Sequence, residues 1–257
     1  MSATALAPRH GAARWWSSYR HMLRFELASQ RQWLPFMLII QILLSAGMAV
    51  LYGFYLPAIP PQLAAFIVTG TPALALIPIG LMSLPNVIVN RRIAGNYDFV
   101  RSLPVPRGTE VAATATVFTL LAIPGMVIAL ALASWRYGIT LHISPLIVPA
   151  VLLTSLMATS VGAALGHGIS NPMLINLVGN LLTFAVLLFT PVVFPPAQYP
   201  AWLVHLHEGL PFYNMAVVLR DALSTGLVAH VGRSYAILLG WTAAGLGVSS
   251  WIVSRRG

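Results

Sequence analysis

Between Arg31 and Arg91 lie 59 consecutive residues without a single Asp, Glu, Lys or Arg. A soluble core helix needs a charged or polar face, and a stretch of this length offers none. At roughly 20 residues per crossing, it is enough for two membrane spans. Pro57-Ala-Ile-Pro-Pro61 divides it, which predicts helices near Leu34 to Tyr55 and Leu63 to Val89. Composition agrees: 58% of the chain is hydrophobic and 7% charged, far from soluble averages.

The same reasoning continues along the 257 residues. The polar segment Asn90 to Glu110 precedes an uncharged run, Val111 to Trp135, that makes a third helix. Tyr137 to His207 again lacks Asp, Glu, Lys and Arg, and Gly166-His-Gly-Ile-Ser-Asn-Pro172 breaks it into helices near Ser144 to Leu165 and Met173 to Val193. Phe194 to Arg233 is too polar and proline-rich to span in full. Ser234 to Ser254 is the sixth helix. The expected fold is therefore an all-α integral membrane protein of about six transmembrane helices.

All 14 basic residues are arginine, against five acids, for a formal charge of +9. The arginines gather at the ends of apolar runs, so they read as topology signals rather than a nucleic-acid surface. Eleven (Arg9, Arg14, Arg20, Arg24, Arg31, Arg91, Arg92, Arg101, Arg107, Arg255, Arg256) fall on the side of the N-terminus, and three (Arg136, Arg220, Arg233) on the other. Short cytoplasmic loops carry the positive excess, which predicts both termini in the cytoplasm. Arginines and histidines interrupt Met1 to Arg31 throughout, so this segment reads as part of the mature chain and not as a cleaved signal. Within it, Trp15, Tyr19, Met22, Leu23 and Leu27 recur at three- and four-residue steps, the pattern of an amphipathic helix at the membrane interface.

Several chemistries are excluded or disfavoured. Without cysteine there is no disulfide and no Cys-ligated metal. Without lysine there is no conventional P-loop, so the chain is not its own ATPase. No HExxH motif appears, and His205 and His207, two residues apart, face opposite sides of a helix; no metal site is expected. His167 beside Ser170 is explained more simply by a glycine-rich turn than by a nucleophile and base. Every Asp, Glu and Arg maps to an interface or loop segment, which disfavours an ion-coupled carrier. Asn176, Asn180 and Thr183 share one face of the fifth helix, as interhelical glue or as part of a polar path. Ser155, Thr159, Gly162 and Gly166 make a small-residue seam on the fourth.

Two segments resemble the type 2 ABC transporter permeases, a family with many drug, lipid and polysaccharide exporters. Arg91-Arg-Ile-Ala-Gly-Asn-Tyr-Asp-Phe-Val-Arg-Ser-Leu-Pro-Val-Pro-Arg107, with Glu110, is similar to that family's cytoplasmic segment between helices two and three, which holds a short coupling helix. Pro195-Pro-Ala-Gln-Tyr-Pro-Ala-Trp-Leu203, then Leu210-Pro-Phe-Tyr213, Arg220-Asp221 and Gly226, is similar to the outer segment before the last helix, where short re-entrant helices cap the path. The family often begins its coupling segment with glutamates and carries a lysine after the proline turn; here stand Arg91 and Arg92, and no lysine.

The resemblance implies that Arg91, Arg92, Gly95, Asp98, Arg101, Leu103, Pro104 and Arg107 contact an ATPase subunit. It implies an outer gate at Pro195, Pro200, Trp202, Pro211, Tyr213 and Arg220. It further implies a bacterial plasma-membrane permease, non-catalytic itself, that pairs with a second protomer and works with a nucleotide-binding subunit holding ATP and magnesium. The chain as a whole, 1–257, is expected to be one membrane domain: 1–31 interfacial, 90–110 the coupling segment, 194–233 the outer gate segment. Uncharged helices suit a hydrophobic or amphipathic cargo. An ion-driven drug carrier and a membrane-embedded hydrolase using His167 and Ser170 are the alternatives.

Overall fold

The structure, a computed structural model, describes residues 11–32, 34–55, 59–95 and 109–255. Nine α-helices account for most of them: α1 (Ala12–Gln30), α2 (Leu34–Tyr55), α3 (Pro61–Ile93), α4 (Thr109–Tyr137), α5 (Ile147–Gly168), α6 (Pro172–Phe189), α7 (Ala201–Glu208), α8 (Pro211–Leu223) and α9 (Val231–Arg255). Among the described residues there is no strand. Among the described residues five helices are long and apolar enough to cross a bilayer: α3, α4, α5, α6 and, within α9, Val231–Val253. The expected first crossing, α2, is a 22-residue helix whose described apolar run is Pro35–Leu44.

α3 is the hub. It packs against α2 and α4 on one side, against α5 and α6 through its second half, and against α8. α2 lies along α4, α1 crosses the beginning of α4, and α5 pairs with α9. Nearly every residue of α3 from Ile67 to Leu81 is buried, so its continuous apolar sequence reflects protein on all sides.

Three prolines interrupt α3's hydrogen-bond ladder, and the chain answers locally. Pro72 has no N–H to give the Val68 carbonyl; the Thr71 hydroxyl donates to it instead, at 2.8 Å. After Pro78 the helix widens into a π turn, Ile79–Ser83. At its start the Ile79 N–H turns to the Leu76 carbonyl. Ala75's carbonyl takes a bond from Gln41 Nε2 of α2, at 3.1 Å, a polar tie across the helix pair.

The small-residue seam read from the sequence is the α3–α5 contact. A Cβ on Gly162 would collide with the Gly80 carbonyl, and one on Gly80 would sit 2.6 Å from Ala158 O. A Cβ on Gly179 of α6 would lie 2.6 Å from Leu81 O, so the same π turn receives two helices at backbone distance. Asn171 caps α6: its Oδ1 accepts from Met173 N at 2.9 Å and Leu174 N at 3.2 Å, with Pro172 at the first helical position. α6 stops at Phe189, four residues before the expected end. Thr190 precedes Pro191 and is held extended, which turns the chain back into the protein.

Candidate functional site

The bundle has two polar ends. At one end α1 presents Tyr19, Met22 and Glu26 to α4 and α3. Tyr19 Oη meets Thr116 Oγ1 at 2.8 Å, and Met22 is buried. Glu26 is fully buried: Arg91 Nη1 and Nη2 donate to its two oxygens at 2.6 and 2.5 Å, and Thr114 Oγ1 donates to Oε1 at 2.8 Å. Arg91 also reaches Ser29 Oγ at 3.2 Å. This forked pair ties α1, the last turn of α3 and the start of α4 into one unit. Along the stripe read from the sequence, Met22 is buried and Leu27 is 39% exposed, while Glu26 joins the buried face. Burial here is decided by Arg91, which apolar periodicity does not see.

Next to it, Arg92 Nη1 donates to Ser170 Oγ at 3.0 Å, in the turn between α5 and α6. His167 Nδ1 pairs with Ser249 Oγ of α9 at 2.8 Å. Gly95 follows with φ 72°, a left-handed conformation that glycine adopts without strain and that ends α3. Of the residues expected to meet an ATPase, Arg91, Arg92 and Gly95 thus stand together at this end; Asp98, Arg101, Leu103, Pro104 and Arg107 lie outside the described residues. Two of the expected docking arginines are engaged inside the protein.

The opposite end is built by the segment after α6. Val192 and Val193 are buried, and Gly70 lets them in: a Cβ there would strike the Val192 carbonyl. Pro195 is half-buried; a short turn at Pro196–Gln198, with Pro200 exposed behind it, leads into α7, where Trp202 is 68% exposed. α8 then inserts among α3, α5 and α9. Pro211 at its start is buried, and Met215, Ala216, Val218 and Leu219 have essentially no exposure. Its last carbonyls are taken by the strap after α4, where Ser144 N bonds Ala222 O at 2.8 Å and His142 N bonds Leu223 O at 3.2 Å. α8 is therefore a helix packed into the core, within the segment that hydropathy reads as too polar and proline-rich to span in full.

Arg220 sits on α8 and is 1% exposed. Its Nε donates to Thr69 Oγ1 at 3.1 Å, its Nη2 to Val192 O at 2.6 Å and Phe66 O at 3.3 Å, and its guanidinium lies 4.0 Å from the Phe66 ring centre. Among the described residues no carboxylate pairs with it. Burial pushes its pKa down to about 10, opposed by the Tyr213 phenol, so it remains charged at neutral pH. Burial likewise raises the pKa of half-buried Tyr213, against the pull of Arg220. The expectation that all charges lie at interfaces or in loops is thus corrected: Glu26 on α1 and Arg220 on α8 are both buried by tertiary packing.

The polar stripe on α6 divides. Asn176 and Asn180 bond carbonyls of their own helix, Pro172 O at 2.9 Å and Asn176 O at 2.7 Å, and Asn176 is exposed. Thr183 is buried, and its hydroxyl has no partner among the described residues. His207 is buried against Leu203 O at 2.8 Å, while His205 points outward.

Over residues 17–223 the sequence matches the ABC-2 type transporter family model. The chain belongs to the ABC-2 type transporter family. Curated proteins give no match. The matched stretch runs from within α1 to the end of α8, so it includes both Glu26–Arg91 and Arg220. Proteins of the ABC-2 family are generally non-catalytic membrane subunits that associate with an ATP-binding subunit.

Proposed function

We propose that this ABC-2 chain is the permease subunit of an ATP-driven exporter, moving a hydrophobic or amphipathic substrate such as a drug, antibiotic, lipid or glycolipid out of the cytoplasm. The observation that carries the reading is the family match across residues 17–223. Two permease protomers pair in the bacterial plasma membrane, both termini cytoplasmic, above two ATPase subunits that bind ATP and magnesium; this chain supplies no cofactor site of its own. The distribution of arginines supports the orientation, since Arg91, Arg92 and α1 cluster at one end and Arg136, Arg220 and Arg233 at the other.

In this reading Asp98, Leu103, Pro104 and Arg107, with Arg101, form the docking surface of segment 90–110. Movement there enters the bundle through Gly95 and the last turn of α3, which the Glu26–Arg91 pair holds to α1 and α4. α3 passes it along its length to Thr69 and Phe66, where Arg220 fastens the outer segment. Pro195, Pro200, Trp202, Pro211 and Tyr213 line that outer gate. An ion-driven carrier finds little support: the one fully buried carboxylate among the described residues, Glu26, is already occupied by Arg91 and Thr114.

The test is co-purification with the ATPase encoded beside it, then reconstitution in lipid. ATP-dependent efflux of a lipophilic substrate is expected. Asp98→Arg should leave membrane insertion and assembly of the chain intact while separating hydrolysis from transport. Gradient-driven flux without any associated ATPase would refute the proposal.

A further inference from the structure

Above Arg220 opens a cavity of about 300 Å³, lined among others by Phe66, Tyr213, Val217, Glu208, Arg233 and Arg220 itself. Its floor carries a charge that no carboxylate among the described residues neutralises. The three bonds described above use the Nε proton and both Nη2 protons, all on uncharged oxygens. A guanidinium has five donors, so the two on Nη1 have no acceptor among the described residues. At the rim, Glu208 is engaged by Arg233 at 3.4 Å and by His205 at 4.0 Å. With one acid against Arg220 and Arg233, the cavity retains a net positive charge. Apolar side chains, Phe66 and Val217, stand beside the cation.

Holding a fully buried cation without a counter-ion costs free energy unless something offsets it. The carbonyls and the Phe66 ring offset part, and they explain why Arg220 anchors α8. They do not explain why the unused donors border an open cavity of headgroup size. We infer that this cavity is a binding site for an oxyanion, phosphate or carboxylate, carried at the end of an amphiphile. The anion meets Nη1 of Arg220, Arg233 swings from its exposed pair with Glu208 to the rim side of the anion, and the apolar wall takes the first part of the tail. Guanidinium forks suit such planar or tetrahedral oxyanions. The site is a property of this chain alone, independent of ATP coupling or transport direction.

The experiment is titration calorimetry on the full chain in a non-ionic detergent, with dihexanoyl-phosphatidate as probe and dihexanoylglycerol, the same tail without the phosphate, as reference. One phosphatidate per chain is expected, at least about tenfold tighter than the reference, as one charge-assisted contact implies. Arg233→Gln should weaken it about tenfold. Ala229→Trp, a substitution at an exposed position on the cavity wall, should abolish it, and Arg136→Gln, at the same end but outside the cavity, should leave it unchanged. Unfolding temperatures confirm that each variant is folded. Displacement by millimolar inorganic phosphate would support the oxyanion site and assign it to a free anion; failure of phosphate to compete would support the headgroup. Equal binding of phosphatidate and dihexanoylglycerol, or full affinity in both Arg233→Gln and Ala229→Trp, would overturn the inference.

Discussion

Replacing Glu26 by Gln should strongly destabilise the chain. The carboxylate has no exposure and accepts three bonds, two from Arg91 and one from Thr114; Arg91 is itself only 13% exposed. Removing one partner of a buried pair costs about 3–5 kcal/mol, because the other charge stays behind unpaired. Arg91 can keep Ser29 and reach some water, which places the loss near about 3 kcal/mol, the lower end of that range. The reverse variant, Arg91→Met, should cost at least as much, since it strands an anion with no exposure. The double variant Glu26→Met with Arg91→Met should recover much of the loss, as apolar replacements of buried pairs commonly do. Equilibrium unfolding in mixed micelles, read by helical circular dichroism, gives all three values and the coupling between the sites. Single losses below about 1 kcal/mol that simply add in the double variant would refute the clamp, and with it the route from segment 90–110 into α4.

Gly162→Ala, whose methyl would strike the Gly80 carbonyl, should cost about 1–3 kcal/mol or prevent folding, whereas Gly240→Ala, with open space around its Cβ, should be neutral or slightly stabilising by the same unfolding assay. Thr71→Val removes the hydroxyl that serves the Val68 carbonyl beside Pro72; a loss of about 1–3 kcal/mol is expected because a buried carbonyl is left unpaired. Asn171→Ala deletes the cap of α6 and should cost about 1 kcal/mol, with Asn171→Asp close to the parent.

The extent to which this fold is legible depends on the range of the forces involved. Breaks between helices are local: Asn171-Pro172 caps and starts α6 through side-chain and ring geometry within three residues, and the sequence places that boundary within one residue. Close approach is also legible, since Gly162 and Gly166 on one helix face admit a neighbouring backbone, although nothing in them says that the neighbour is Gly80. The two segments that resemble the family are short local motifs, and all but Gly226 of them lie within the matched stretch. Side-chain bonding is less legible: Asn176 and Asn180 share a face by spacing, and within the chain each amide donates to a carbonyl one turn back on its own helix.

Charge burial is what the sequence conceals. Hydropathy assigns Glu26 to an amphipathic interface helix and Arg220 to an outer loop, because each stands in a segment too polar to span. Their environments come from residues 65 and 151 positions away, Arg91 and Thr69, through contacts that exist only once α3 is in place. α3 joins the two: its last turn carries Arg91 and its second and third turns carry Phe66 and Thr69, so one helix holds a buried charge at each end. The two charges are not equivalent. Glu26 is neutralised, so its site is closed and structural; Arg220 keeps unused donors beside a cavity, so its site can still respond to what enters it. A charge whose partner is already present fastens an element, while a charge whose partner is missing selects a ligand, and that difference is read only from side chains in three dimensions.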